Sequence, residues 1–219
     1  MALATTFRSC SALAFVVLVF AAAPARAEQV THQFNGQLTT ITNGSAGMLD
    51  LRSVFSLGQA VTFEYTIERD TPPAEHDPYT DSYTDGISAL SFSIDTWSGA
   101  GTPVYSLMTV TDNQPSPGNP SILYDQNSVQ IQGGITAPEI GGATLQSLTW
   151  TLDDIQGTVF DSKVIPRVYP ALNVFEGKTM TVLVFDFNQL KSGYVMATLS
   201  SVATPAQATS WGEVKALYR

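Results

Sequence analysis

Carboxylates concentrate in residues 68–86, where Glu68, Asp70, Glu75, Asp77, Asp81 and Asp85 are opposed by Arg69 alone among Lys and Arg. Clustered carboxylates in a loop suit Ca²⁺, which takes six to eight oxygen ligands. The run Asp81-Ser82-Tyr83-Thr84-Asp85-Gly86 imitates the start of an EF-hand loop. Asp77, Asp81 and Asp85 are therefore the candidate metal ligands, and calcium is the candidate cofactor. The imitation breaks at Tyr83, where a third oxygen ligand belongs, and at Phe92, where the bidentate glutamate belongs. The competing reading is a solvated acidic loop.

The same stretch carries Tyr79 and Tyr83, and Trp97 closes the strand pattern that follows. Exposed rings beside carboxylates at the rim of a β-domain can stack on the apolar faces of sugars. That makes Tyr79, Tyr83 and Trp97 candidate carbohydrate contacts. The alternative is that Trp97 closes the core, as Trp150 does if its alternation with Leu148 and Leu152 is followed.

Hydrolytic chemistry has less to work with. His32 and His76 are the two histidines, one inside a predicted strand and one in the acidic loop. Each reads as a surface or partly packed residue. A Ser-His-Asp unit needs one of them as base, and no G-x-S-x-G elbow presents a serine. No H-E-x-x-H, P-loop or G-x-G-x-x-G pattern occurs. Paired carboxylates for glycoside hydrolysis meet only in space, so they stay open at this level. The reading is non-enzymatic.

Strands must position these side chains. Val61, Phe63, Tyr65 and Ile67 alternate with Thr62, Glu64, Thr66 and Glu68, the period of two that buries one face and wets the other. Leu90, Phe92 and Ile94 repeat it against Ser91, Ser93 and Asp95, and Leu148, Trp150 and Leu152 against Thr149, Thr151 and Asp153. Residues 104–110 and 129–131 add further strands. Residues 180–187 are apolar on both sides and predict a central strand covered on both faces. Residues 194–202 follow a turn at 188–193 and predict its hairpin partner. Residues 30–41 read as a strand interrupted at Asn35-Gly36 by a bulge or turn. Loops rich in Gly, Pro, Asn and Asp fall at 71–86, 112–120 and 133–142. Pro166 and Pro170 mark residues 165–172 as an extended or edge segment. Roughly eight to ten short strands separated by turn signals predict an all-β fold, an antiparallel β-sandwich of jelly-roll-like form.

Ahead of this domain, Arg8, a 12-residue apolar run over 12–23, Pro24 and Ala25-Arg26-Ala27 compose a cleavable secretory signal peptide. The run is shorter than the roughly 20 residues of a bilayer span. The predicted organisation is a signal peptide over 1–27, a β-sandwich domain over 28–203, and a linker with a short tail over 204–219. Cleavage after Ala27 removes Cys10, the one cysteine, and with it any disulfide, thiolate nucleophile or Cys-ligated metal. A secreted chain without disulfides favours a bacterial periplasm, cell surface or extracellular space. Cleavage also removes Arg8 and Arg26, leaving eight basic against nineteen acidic residues and a net charge of −11. That field repels phosphate backbones and anionic lipids and argues against a nucleic-acid partner. No second run approaches spanning length, so no transmembrane segment is expected in the mature chain.

Several motifs then recur in a familiar order. They are Phe34-x-Gly36, Val54-Phe55-x-Leu57-Gly58-x-x-Val61-x-Phe63-x-Tyr65, an acidic loop before Leu90-x-Phe92, Ser162-x-x-Ile165-Pro166, Pro170-x-Leu172-x-x-Phe175, and the strand over 181–187. Together they resemble a group of uncharacterised exported bacterial β-sandwich proteins, many of which end in a PEP-CTERM sorting signal. The resemblance covers residues 30–202 and implies an exported sandwich without implying an activity. The chain departs from the group at its end, with no Pro-Glu-Pro motif, terminal apolar helix or Arg cluster. Instead, Trp211-Gly212-Glu213-Val214-Lys215-Ala216-Leu217-Tyr218-Arg219 is similar to a W-G-x-[IV]-K-x-[LM]-Y-R tail on other exported bacterial proteins, which implies sorting machinery as a partner. The expected function is an exported, acidic, non-enzymatic β-sandwich of the cell envelope or extracellular space. The alternatives are a carbohydrate- or calcium-dependent binding module with a glycan or cell-surface partner, and a hydrolase on a sandwich scaffold.

Overall fold

In the computed structural model, which describes residues 28–43 and 49–203, twelve strands form one antiparallel sheet. They are β1 (Gln29–Asn43), β2 (Ala60–Glu68), β3 (Glu75–His76), β4 (Thr80–Thr84), β5 (Ile87–Ile94) and β6 (Trp97–Gly101), then β7 (Tyr105–Ser116), β8 (Asn119–Gln132), β9 (Ile135–Thr136), β10 (Thr144–Asp154), β11 (Gly177–Asp186) and β12 (Lys191–Ala203). Their order in the sheet is β3-β4-β7-β8-β10-β11-β12-β1-β2-β5-β6-β9. Short 3-10 turns cover Leu51–Ser53 and Leu172–Val174. The predicted signal peptide and C-terminal tail lie outside the described residues. No helix among the described residues is long and apolar enough to cross a membrane.

The period of two decides which side chains meet. Val61, Phe63, Tyr65 and Ile67 of β2 are buried, as are Leu148, Trp150 and Leu152 of β10. The sheet curls until these faces touch. The Tyr65 and Trp150 rings lie 4.7 Å apart, although β11, β12 and β1 separate their strands in the sheet. Phe63 extends the contact, 4.8 Å from Trp150 and stacked at 4.8 Å on Phe34 of β1. Rings at such separations gain roughly 0.5–1.5 kcal/mol per pair beyond the area they bury.

Bends in β1 allow the curl. Its pairing with β12 shifts register after Asn35 and again after Leu38, and such bulges sharpen local twist. The predicted interruption at Asn35-Gly36 is thus a bulge inside one continuous strand. A Cβ on Gly36 would sit 2.3 Å from the Thr198 carbonyl oxygen, so glycine is what lets the two backbones close there. A second corner joins β4, paired with β7, to β5, paired with β2. Asp85 turns it at φ 56°, a left-handed conformation that aspartate tolerates better than most residues.

Some expectations need correction. Residues 71–86 are not all loop, because they contain the β3–β4 hairpin. Residues 112–120 are mostly strand, since β7 and β8 run on to a tight turn at Pro117-Gly118. The strand β11 is central as expected, but only one face is covered. Met180, Val182, Val184 and Asp186 face the core, while Leu183 and Phe185 are half-buried. A single sheet curled on itself buries one side of each strand, and apolar residues on the other side reflect β-propensity rather than burial. Residues 165–172 pair with no strand. They belong to a strap, residues 155–176, that crosses one end of the core between β10 and β11.

Candidate functional site

Toward the strap, the alternation that buries the core continues into polar residues. Asp125 and Asn127 precede Val129 and Ile131 on the inner face of β8, and Asp154 follows Leu148, Trp150 and Leu152 on β10. His32 lies between Val30 and Phe34 on β1, and Asp81 shares the buried face of β4 with Tyr83. All of these are buried. A polar group taken from water is costly unless it finds a hydrogen bond, and the strap supplies most of the partners.

The amides of Val159 and Phe160 donate to Asp125 Oδ2 at 2.8 and 2.7 Å, and the Asn113 amide donates to Oδ1 at 2.8 Å. Asp154 accepts from the amides of Gln156 and Thr158 at 2.9 and 2.7 Å and from the Thr158 hydroxyl at 3.1 Å. Burial works against ionisation of Asp154, but these hydrogen bonds prevail and hold its carboxyl below the usual carboxylate range. For Asp112 the balance is reversed: burial, then the charge of Asp125, raises it.

Deeper in the core, Tyr169 of the strap donates its hydroxyl to Asn127 Oδ1 at 2.7 Å and shares a 2.7 Å hydrogen bond with the Tyr65 hydroxyl. Asn127 Nδ2 donates to the Thr109 carbonyl at 3.3 Å, which closes the chain of bonds. Burial pushes both phenols up, so each stays neutral. The His32 ring meets Tyr169 edge-on at 4.8 Å, and its Nε2 lies 3.2 Å from the Pro166 carbonyl oxygen. Burial pulls the imidazole down to about 4, against the raising effect of Pro166. A neutral ring facing a carbonyl carries its proton on Nε2. The strap therefore touches both halves of the curled sheet through neutral hydrogen-bonding groups.

At the rim the contacts are charged. Lys163 Nζ lies 3.2 Å from Asp81 Oδ1 and also donates to the Asp77 carbonyl, while His76 Nδ1 pairs with the same Asp81 oxygen. The Tyr83 hydroxyl donates to the Lys163 carbonyl at 2.7 Å. Burial, then the charge of Asp81, pushes Tyr83 up to about 12.

The predicted metal ligands are not brought together. Asp77 Oδ1 accepts from the amides of Tyr79 and Thr80 at 2.8 and 2.7 Å as a local turn, Asp81 takes Lys163 and His76, and Asp85 accepts from the Ser106 amide at 3.4 Å. Among the described residues no three His, Cys, Asp or Glu side chains are grouped to hold a metal ion. The predicted sugar contacts are dispersed as well. Tyr79 is exposed, but Tyr83 is buried. Trp97 is 6% exposed, donates Nε1 to the Pro138 carbonyl at 3.0 Å and packs on Phe55 and Phe92. Stacking on a sugar needs an open ring face, so Trp97 closes the core instead. The structure also corrects His32 from partly packed to buried, whereas the His76 side chain is 68% exposed.

Sequence reasoning missed Asp125, Asn127, Asp154 and Tyr169 as a set. For the three strand residues the signal was the period of two itself, carried two residues past Leu152 to Asp154 and two and four residues before Val129 to Asn127 and Asp125. On the opposite, outer surface, Ala89, Ser91, Ala100 and Gly101 line an open groove of about 370 Å³ over β2, β5 and β6, with Glu64 and Thr66 beside them. Searches of protein-family models, curated proteins and solved structures returned no match to this chain.

Proposed function

We propose that the chain is an exported, non-enzymatic β-sandwich protein of the bacterial cell envelope or extracellular space. One observation carries the reading: the apolar run over 12–23 and its Ala25-Arg26-Ala27 site end two residues before β1 begins at Gln29. Cleavage there frees the whole sheet without cutting an element. Describing the sheet as two layers of a sandwich rests on the Tyr65–Trp150 contact across three intervening strands. The non-enzymatic reading is supported by how Asp81, Asp125 and Asp154 are used, since strap donors already occupy them. The tail Trp211 to Arg219 is proposed as a sorting signal, tested by deleting 204–219 and following surface attachment.

Export is tested by expressing the full chain and a version lacking residues 2–27 in a bacterium and fractionating the cells. The full chain should leave the cytoplasm and the truncated one stay; the same compartment for both contradicts the reading. The binding-module alternative keeps one supporting observation, the open groove over β2, β5 and β6. Its small side chains leave room for a flat ligand, and a glycan array with and without Ca²⁺ decides it.

A further inference from the structure

Glu28, the residue before β1, is held from several sides. Its carbonyl accepts from the Arg69 amide at 2.9 Å. One carboxylate oxygen pairs with Arg69 Nη1 at 3.1 Å, and the other pairs with Arg167 of the strap. Its own backbone nitrogen lies 3.3 Å from Asp70 Oδ2. So the same residue reaches the end of β2 with its backbone and the strap with its side chain.

We propose that Glu28 is the mature N-terminal residue and acts as a clasp, its new α-ammonium pairing with Asp70 while its carboxylate bridges Arg69 and Arg167. The inference rests on the export reading and deepens it. Hydrolysis of the Ala27–Glu28 amide by the export machinery consumes one water, leaving a carboxylate on Ala27 and an ammonium on Glu28. A neutral N–H facing Asp70 then becomes a cation, and a charge-assisted hydrogen bond is roughly twice as strong as a neutral one. Cleavage one residue later would discard the Glu28 carboxylate and both of its ion pairs. Among the described residues, charged groups around the position include Glu68 on β2, Arg69 and Asp70 just after it, Arg167 on the strap, and the carboxylate of Glu28 itself.

The test uses the full chain, purified after export. Intact mass reads the N-terminus, and Glu28 is expected. Melting temperatures of this protein and its Asp70→Asn variant are then compared at about pH 6.5 and about pH 9.5, on either side of α-amino titration near pH 8. Asp70→Asn should lower Tm by about 2–4 °C at the lower pH, and by less than half of that at the higher pH. Arg167→Gln breaks the strap side of the carboxylate bridge and should lower Tm equally at both. An equal loss for Asp70→Asn at both pH values overturns the clasp and leaves export standing. A first residue other than Glu28 overturns the clasp too. A chain that keeps residues 1–27 overturns the export reading beneath it.

Discussion

At one end of the core Leu51, Phe55, Phe92 and Trp97 close the sheet by apolar contact, with Phe55 and Phe92 rings 5.4 and 5.0 Å from Trp97. At the other end the strap closes it by hydrogen bonds to Asp125, Asn127, Asp154 and Tyr65. The β2–β5 register sets the two apart, since Val61 pairs with Ile94 at the first end and Ile67 with Ile87 at the second. Apolar closure is non-directional, scales with area and survives repacking. Polar closure is directional, and a network left partly satisfied is worse than none. The first end therefore supplies stability, and the second fixes where one long connection must lie.

Substitutions can break that contrast. Trp97→Ala should cost about 4 kcal/mol, the range for a buried aromatic truncated to alanine, read by urea denaturation. Trp97→Phe, which keeps the end apolar, should recover most of it. If both variants lose the same amount, the end is held by the Trp97–Pro138 hydrogen bond rather than by contact.

Acid should act on the strap end. The folded His32 titrates at about 4 against an ordinary 6.5, so between those values the unfolded chain binds more protons. Stability should fall by about 3 kcal/mol as pH drops from 6.5 to about 4, with no further contribution from His32 below that. A His32→Leu variant should show a flatter urea-midpoint profile over that window. An unchanged profile would mean that His32 is not what makes this end acid-sensitive.

The smallest change sharpens the contrast furthest. Tyr169→Phe removes one oxygen, yet it strands the Tyr65 hydroxyl and the Asn127 carbonyl, and should cost about 2 kcal/mol. A loss under about 0.5 kcal/mol, the scale of a surface substitution, would show that the inner hydrogen bonds do not hold the strap.

The sheet was legible in the sequence because Val61 to Ile67 and Leu148 to Leu152 alternate cleanly, and alternation is what a half-buried strand needs. The strap end was not, because Asp125, Asn127 and Asp154 look like loop or solvent residues once hydrophobicity alone is scored. Asp125 and Asn127 depend on donors 34 to 42 residues further along the chain, and such long-range pairing has no local signature. The acidic run shows a related limit: Asp77 and Asp81 are close in sequence, but a strand turns one inward to Lys163 and leaves the other in a local turn. Trp97 carried both a sugar-binding and a core reading and Tyr83 only the first, and burial, which only the tertiary fold sets, takes both rings away from the surface.

Amide hydrogen exchange at Val159 and Phe160 tests most directly whether the strap is fixed by inward-facing polar groups. Their N–H groups lie outside any strand yet donate to buried Asp125. They should exchange as slowly as strand amides of β10, and Asp125→Asn should speed them at least tenfold while leaving β5 and β6 beside Trp97 unchanged. Exchange at the rate of an exposed loop in the unsubstituted protein would contradict the account.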